Sequence, residues 1–121
     1  MVQKQRTILI VDDDPDILLF LELLLEDAGY TVITAATGAI LDGLEEQTLP
    51  DLILLDMLLF REDGRVLTKQ LKSKALTARI PVLLYSAHPG AEREALAAGA
   101  DGFLAKPFGI DEILAMIATY L

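Results

Sequence analysis

The sequence lacks cysteine and tryptophan, and only 6% of its residues are aromatic. Without cysteine there is no disulfide framework and no metal site built from thiolates. Long apolar runs are missing too, because the longest candidate, residues 17–25, contains Glu22 and is too short to cross a bilayer. The first six residues are polar and basic, and no signal-peptide segment follows them. We therefore expect a cytoplasmic protein without membrane insertion.

Positive charge is also scarce. Ten Lys and Arg residues stand against 19 Asp and Glu, which gives a formal net charge of −9. The basic side chains are scattered along the chain, whereas proteins that bind nucleic acids cluster them on one surface. The composition therefore argues against direct nucleic-acid binding. A length of 121 residues corresponds to one domain, residues 1–121, that is long enough to bury a core.

Five short apolar segments alternate with segments of helical periodicity. The predicted strands are Thr7–Asp12, Thr31–Ala35, Asp51–Asp56, Ile80–Ser86 and Gly102–Lys106. The predicted helices are Pro15–Ala28, Ala39–Glu46, Gly64–Lys74, Gly90–Ala98 and Ile110–Tyr120. Such alternation implies right-handed crossovers and a parallel sheet covered by helices on both faces. We therefore predict a three-layer α/β fold.

Residues typical of helix ends support these boundaries. Asp14 before Pro15 is a favourable N-cap followed by proline in the first turn. Gly29 and Gly99 lie where two helices should end in a left-handed residue. Thr37 is a candidate cap for the second helix.

Polar side chains gather at the predicted carboxyl ends of the strands. They are Asp12, Asp13, Asp56, Ser86 and Lys106. In open α/β sheets, ligands bind outside the carboxyl ends of the strands, near the point where strand order reverses. We therefore expect these side chains to converge on one edge of the sheet.

The acidic residues of this group predict a magnesium site. Asp14 caps a helix, but two further carboxylates directly before it need another explanation, and oxygen ligands of this kind suit Mg²⁺. Asp56 interrupts an apolar stretch, and burying an unpaired polar group costs roughly 2–7 kcal/mol. A metal ion together with Lys106 would compensate for that cost. The alternatives are a strand-end aspartate that caps nearby amides and a lysine that faces water.

Ser86 carries a hydroxyl that can donate to an anion, although an isolated serine would mean little. His88 lies two residues further on, and a lone loop histidine is usually just solvated. Together with the acidic group and the lysine, Ser86 makes the edge a candidate phosphoryl-accepting site.

In combination these motifs resemble the receiver domain of two-component response regulators. The segments that carry the resemblance span the chain in order: Ile8–Asp13, Asp56, Asp63-Gly64, Ser86-Ala87, Gly99–Phe103 and Lys106–Phe108. The resemblance implies a doubly wound, flavodoxin-like sheet with strand order 2-1-3-4-5. It also implies a signalling domain that takes a phosphoryl group from a histidine kinase or a phosphotransfer protein. We expect a stand-alone domain, with an excised part of a longer protein as the alternative.

The same resemblance assigns roles to individual residues. Asp56 would accept the phosphoryl group, and Lys106 and Ser86 would bind its oxygens. Phe103 would be the aromatic residue whose rotamer follows Ser86 on activation, shifting the surface formed by the fourth helix, fifth strand and fifth helix. The Mg²⁺ ligands would be Asp12, Asp13, Asp56 and the backbone carbonyl of Leu58.

The chain departs from the family pattern at four places, and one of them is Phe103, where many members have tyrosine. Phe60 occupies a position that is usually proline, and Leu58 stands where a polar side chain often tunes the attack of water. The segment from Ser86 to Phe103 is shorter than usual, which predicts an abbreviated fourth helix or loop.

Two other functions and one partner surface stay open at this point. A receiver-fold scaffold could work without phosphorylation, and a small Mg²⁺-dependent phosphatase could use Asp56 covalently, although Leu58 stands where such enzymes place a second acid. We expect no enzyme activity beyond self-phosphorylation and autodephosphorylation. The last helix carries a wide apolar band, which is either core or a surface for a downstream protein or a homodimer.

Overall fold

The computed structural model describes residues 5–88 and 90–121, so the first four residues of the predicted domain and Pro89 lie outside the description. Five strands form the main sheet: β1 Thr7–Val11, β2 Thr31–Ala35, β3 Leu52–Asp56, β4 Val82–Ser86 and β5 Gly102–Ala105. The helices are α1 Pro15–Asp27, α2 Ala39–Asp42, α3 Gly64–Ser73, α4 Ala91–Ala97 and α5 Ile110–Tyr120.

The sheet is parallel throughout and has the order β2-β1-β3-β4-β5, which confirms the predicted fold class and strand order. The order in which strands are added to the sheet reverses between β1 and β3, because β2 lies on one side of β1 and β3 on the other. Ile8 pairs in register with Val32 on one side and with Leu52 on the other. At the carboxyl end, Asp56 pairs with Tyr85. The ends of β1, β3 and β4 therefore meet at one edge.

Helices cover both faces of the sheet, and alternate residues of each strand enter two separate cores. One core contains Ile53 and Leu55, together with buried residues of α2, α3 and α4. The other contains Leu52 and Leu54, together with buried residues of α1 and α5. Every residue of β3 and β4 is buried. This explains why those strands read as nearly continuous Ile, Leu and Val in the sequence.

The helix ends follow the predicted capping residues. Asp14 caps α1, and its side chain accepts a hydrogen bond from the amide of Asp16 at 2.9 Å. Gly29 and Gly99 have φ values of +100° and +103°, a region that favours glycine because it has no Cβ. At α2, Thr37 accepts a bond from the amide of Ala39 at 3.3 Å, but the capping position is Gly38.

The predicted length of α2 was wrong. The α-helix ends at Asp42, and a short 3₁₀ turn follows at Glu46–Thr48. Gly43 is the residue after the helix. A glycine inside a helix makes the helix less stable by about 1 kcal/mol than an alanine would. The other predicted boundaries differ by no more than two residues, and α4 has seven residues, as the short segment after Ser86 predicts.

A two-stranded hairpin at residues 58–63 was not predicted. Leu58–Leu59 pairs antiparallel with Glu62–Asp63, and Arg61 adopts a positive φ of 61° between them. This segment, here called the 58–63 hairpin, directly follows Asp56 and leads into α3. Among the described residues, no helix is long and apolar enough to span a membrane.

Candidate functional site at the carboxyl edge of the sheet

Three carboxylates meet where β1 and β3 end. One oxygen from each of Asp12, Asp13 and Asp56 lies within 4.8 Å of the others. Asp12 is fully buried and Asp56 is 7% exposed, whereas Asp13 is exposed to solvent. Three negative charges this close repel one another in the absence of a cation. The cluster therefore has the composition of a divalent-cation site that is open on one side.

Asp12 is held on both carboxylate oxygens. Its Oδ1 accepts a hydrogen bond from the amide of Asp14 at 2.8 Å. Its Oδ2 accepts one from the hydroxyl of Tyr85 at 2.6 Å, and Lys106 Nζ lies 3.9 Å from the same oxygen. A buried charge is tolerated only when it is paired and hydrogen-bonded, and Asp12 meets both conditions.

Asp56 has fewer partners than Asp12. Its Oδ1 accepts a hydrogen bond from the amide of Leu58 at 3.1 Å, and its Oδ2 lies 3.6 Å from Lys106 Nζ. Burial raises the pKa of Asp56, and the nearby charge of Asp12 raises it further. The Leu58 hydrogen bond and Lys106 act in the opposite direction without cancelling the effect of burial on that pKa. The ionised form of Asp56 is therefore under-compensated by the protein alone, and a cation would stabilise it.

Lys106 reaches the two buried acids from the end of β5. Its ammonium also lies 4.8 Å from the centre of the Tyr85 ring, which is within the range of a cation–π contact. The peptide bond between Lys106 and Pro107 is cis. Phe108 packs edge-on against the Tyr85 ring, with the two ring centres 5.8 Å apart.

Ser86 ends β4 and is buried. Its Oγ accepts a hydrogen bond from the amide of His88 at 3.0 Å, which leaves the hydroxyl proton available to another acceptor. The residue lines a cavity of about 270 Å³ together with Met57 and Leu58, the residues that follow Asp56. Ser86 therefore lies beside the acidic cluster, while the exposed His88 lies at the rim of the same cavity.

The two remaining predicted residues are Leu58 and Phe103. Leu58 presents its amide to Asp56, and its side chain is 61% exposed. Phe103 pairs in register with Leu84 and packs, half-buried, against the core beneath α3 and α4. It is thus part of the core rather than of the acidic cluster.

The 58–63 hairpin is tied to the site by backbone contacts. The amide of Phe60 donates to Asp13 Oδ2 at 2.8 Å, so one carboxylate of the cluster also holds the hairpin. At the base of the hairpin, the amide of Gly64 donates to the carbonyl of Met57 at 2.8 Å. A Cβ on Gly64 would lie 2.6 Å from the carbonyl oxygen of Asp56, so only glycine fits there without displacing the backbone.

Sequence reasoning missed Tyr85. Its hydroxyl touches an acid of the cluster and its ring contacts the lysine, although it lies on β4 and reaches Asp12 past β3. The available signal was a tyrosine directly before Ser86 in an otherwise aliphatic strand. Sequence reasoning also missed the apolar exposure of α1, where Leu19, Phe20 and Leu23 are each about half exposed.

The apolar band on α5 is mostly core. Ile113 and Ile117 are fully buried, and the partly buried apolar residues of the helix pack against the same core. Ile110 and Tyr120 are the large apolar side chains of this helix that are exposed.

Comparison with known proteins agrees with this geometry. The family described as "Response regulator receiver domain" matches residues 8–118. The chain belongs to the response regulator receiver domains. This receiver domain is 40% identical over 116 residues to the DNA-binding dual master transcriptional regulator RpaA of Synechocystis sp., covering 94% of the chain but 48% of that relative. The chain thus spans about half the length of the curated relatives it first matches.

Solved structures show the same fold over the full length of the receiver domain. A putative response regulator from Chloroflexus aurantiacus superimposes with a TM-score of 0.89 at 36% identity, covering 97% of this chain and 98% of the other. The receiver domain of the sensor histidine kinase PA1611 from Pseudomonas aeruginosa gives a TM-score of 0.86 at 28% identity, with coverage of 97% and 98%. That structure has a magnesium ion coordinated in its active-site cleft.

The donor set of this receiver domain fits such an ion. Mg²⁺ prefers oxygen ligands and keeps several waters, and it is usually held by one or two carboxylates. The cluster offers buried oxygens from Asp12 and Asp56 and an exposed one from Asp13, where water can enter. Burial destabilises the ionised form of Asp56, as its raised pKa indicates, and a cation beside the carboxylate would stabilise that form.

Proposed function

We propose that the protein is a phosphoryl-accepting switch of a two-component phosphorelay. Asp56 takes a phosphoryl group from a histidine kinase or a phosphotransfer protein. The observation that carries this proposal is the setting of Asp56, a buried carboxyl with a raised pKa, flanked by two further acids and by Lys106. The described residues 5–88 and 90–121 belong to the single domain proposed for residues 1–121.

The transfer is an in-line displacement at phosphorus. A carboxylate oxygen of Asp56 forms the new P–O bond while the bond from phosphorus to the donor nitrogen breaks, and the acyl phosphate is later hydrolysed by water. Bound Mg²⁺, held by Asp12, Asp13, Asp56 and the Leu58 carbonyl, would neutralise charge on the phosphoryl oxygens. These are the only reactions that we assign to the protein.

Lys106 and Ser86 bind the transferred group. The ammonium of Lys106 is already 3.6 Å from Asp56 Oδ2, close enough to pair with a phosphoryl oxygen attached there. The hydroxyl of Ser86 lines the cavity next to Leu58 and retains a proton to donate. Both contacts exist only in the phosphorylated state, so they favour that state by differential interaction.

We propose that this differential contact shifts the surface formed by α4, β5 and α5. Ser86 moves toward the phosphoryl group, and Phe103, which packs half-buried beneath α3 and α4, follows into the vacated space. The shifted surface then binds a downstream protein or a second copy of the chain through the last helix. Direct nucleic-acid binding is not proposed for this domain, because its net charge is −9. A cytoplasmic location follows from a histidine-kinase partner.

Mass spectrometry after incubation with acetyl phosphate and Mg²⁺ tests the proposal. We expect the wild-type protein to gain the mass of one phosphoryl group and Asp56→Asn to gain none. Asp51→Asn is the matched control, since Asp51 immediately precedes β3 at its opposite end and bonds the amide of Thr7. That variant should still be phosphorylated. Absence of an adduct in the wild-type protein under these conditions would favour a phosphorylation-independent scaffold instead.

A further inference from the structure

Tyr85 occupies the interior of the site without a role in the chemistry described above. It is fully buried, and its hydroxyl donates to Asp12 Oδ2 at 2.6 Å. One face of its ring lies 4.8 Å from the ammonium of Lys106, and Phe108 packs against the ring edge-on. One side chain therefore contacts both an acid of the cation site and the lysine beside the acceptor.

The hydroxyl of Tyr85 and the ammonium of Lys106 both approach the same oxygen, and the hydroxyl is the closer of the two. Asp12 Oδ2 is 2.6 Å from the hydroxyl and 3.9 Å from Lys106 Nζ, while Asp56 Oδ2 is 3.6 Å from that nitrogen. Without the hydroxyl, Asp12 Oδ2 would be a buried anionic oxygen lacking a close donor, and Lys106, whose Nζ is 3.9 Å away, could supply one. An ammonium that moved onto Asp12 would leave Asp56 and would repel a cation from the cluster.

We infer that Tyr85 is a positioning residue for the cation site. Its hydroxyl fixes the Asp12 carboxylate and thereby reserves Lys106 for Asp56. Each oxygen of a carboxylate can accept two bonds, so Asp12 keeps free positions for a cation while Asp14 and Tyr85 hold it. This inference rests on the proposed function, since it concerns the same acidic cluster.

Another tyrosine provides a matched control. The hydroxyl of Tyr120 also makes a hydrogen bond of 2.6 Å, but to the backbone carbonyl of Asp101, where β5 begins and outside the acidic cluster. A tyrosine that only satisfies its hydroxyl would, when replaced by phenylalanine, lower stability without changing ion binding. Tyr85 should behave differently from Tyr120 in this respect.

The test is a calorimetric titration of the whole protein with Mg²⁺ in the absence of any phosphodonor. Tyr85→Phe should bind the ion more weakly than the wild-type protein by roughly three- to tenfold. A three- to tenfold loss corresponds to about 0.7–1.4 kcal/mol, less than a full hydrogen bond to a charged group contributes, because the Asp12 carboxylate keeps its bond from the amide of Asp14. Tyr120→Phe should bind within twofold of wild type. Equal affinities of Tyr85→Phe and wild type, or equal losses in both variants, would overturn the inference.

A second measurement does not require replacing Tyr85. The chain has three tyrosines and no tryptophan, so Tyr30→Phe combined with Tyr120→Phe leaves Tyr85 as the only strong emitter. Since tyrosine emission depends on the hydrogen bond of the hydroxyl, Mg²⁺ binding at Asp12 should change it in a saturable way. Emission that stays constant while calorimetry shows binding would refute the role of Tyr85. Absence of Mg²⁺ binding by the wild-type protein would instead overturn the proposed function, and this inference with it.

Discussion

At the scale of single residues, the fold stabilises the negative charge of the acceptor carboxyl, Asp56, poorly. Burial and the charge of Asp12 raise the pKa of Asp56, whose ordinary value in the unfolded chain is near 3.8. Between these two pKa values the folded protein binds more protons than the unfolded chain does. Stability therefore falls as the pH rises through that window, and the penalty is complete once the pH exceeds the pKa of Asp56 in the folded protein.

Asp56→Asn should consequently stabilise the apo protein. We expect a gain on the order of 1 kcal/mol at pH 7, since the amide keeps an acceptor for Leu58 and carries no charge. The gain should shrink as the pH approaches 4, where the wild-type carboxyl becomes protonated. Urea unfolding at several pH values in EDTA measures this difference. Asp111→Asn, an exposed residue in the first turn of α5, should show no gain, and a destabilised Asp56→Asn protein would contradict the argument.

At the scale of elements, the first residue of α3 lies against the backbone of Asp56, the proposed acceptor. Gly64 is its first residue, and an added Cβ would lie 2.6 Å from the carbonyl oxygen of Asp56 and 2.8 Å from Met57 Cα. These are backbone atoms that cannot rotate away. The position of Asp56 and the start of α3 are therefore fixed together.

Gly64→Ala should both destabilise the protein and slow its phosphorylation. Steric overlap of this kind costs typically about 1–3 kcal/mol, and the displaced backbone carries the acceptor with it. Gly109→Ala is the control, because nothing lies within 4 Å of a Cβ at that helix start and its φ is −76°. That variant should stay within about 0.5 kcal/mol of wild type. Urea unfolding and the rate of adduct formation measure the two effects, and equal behaviour of both variants would exclude the proposed constraint.

The elements also show how far the sequence predicts this molecule. Apolar strands alternating with helices were enough for the parallel three-layer fold, whereas the strand order came from the family resemblance. Strand ends were enough to place the acidic residues and Lys106 on one edge. The hairpin at 58–63 was missed because its strands have only two residues each and depend on the positive φ of Arg61. Tyr85 was missed because its contact with Asp12 joins two strands that are not neighbours, which no local pattern records.

At the scale of the whole molecule, the net charge of −9 adds to the repulsion within the acidic cluster. A divalent cation that binds the folded chain and not the unfolded one stabilises it by mass action. The gain depends on the ratio of free ion to dissociation constant, so Mg²⁺ should act on global stability as well as on phosphoryl transfer.

We expect Mg²⁺ at about 100 times its dissociation constant to raise the free energy of unfolding by about 2.7 kcal/mol. Thermal unfolding with Mg²⁺ and then with excess EDTA measures the gain and its reversal. Asp13→Asn removes the exposed carboxylate of the cluster and should lose most of the gain. An equal shift in that variant would mean that the ion acts elsewhere on the acidic surface.

The central position of β1 and β3 has a consequence for how the site is lost. Both strands are hydrogen-bonded on each side, whereas β2 and β5 pair on one side only within residues 5–88 and 90–121. Their amide protons should therefore exchange with solvent only when the entire molecule unfolds. Asp56 ends β3, and Asp12 directly follows β1 and donates its own amide to the carbonyl of Ala35. Fraying at the periphery could release Lys106, which follows the edge strand β5, but it would leave the two acids together for as long as a folded molecule persists.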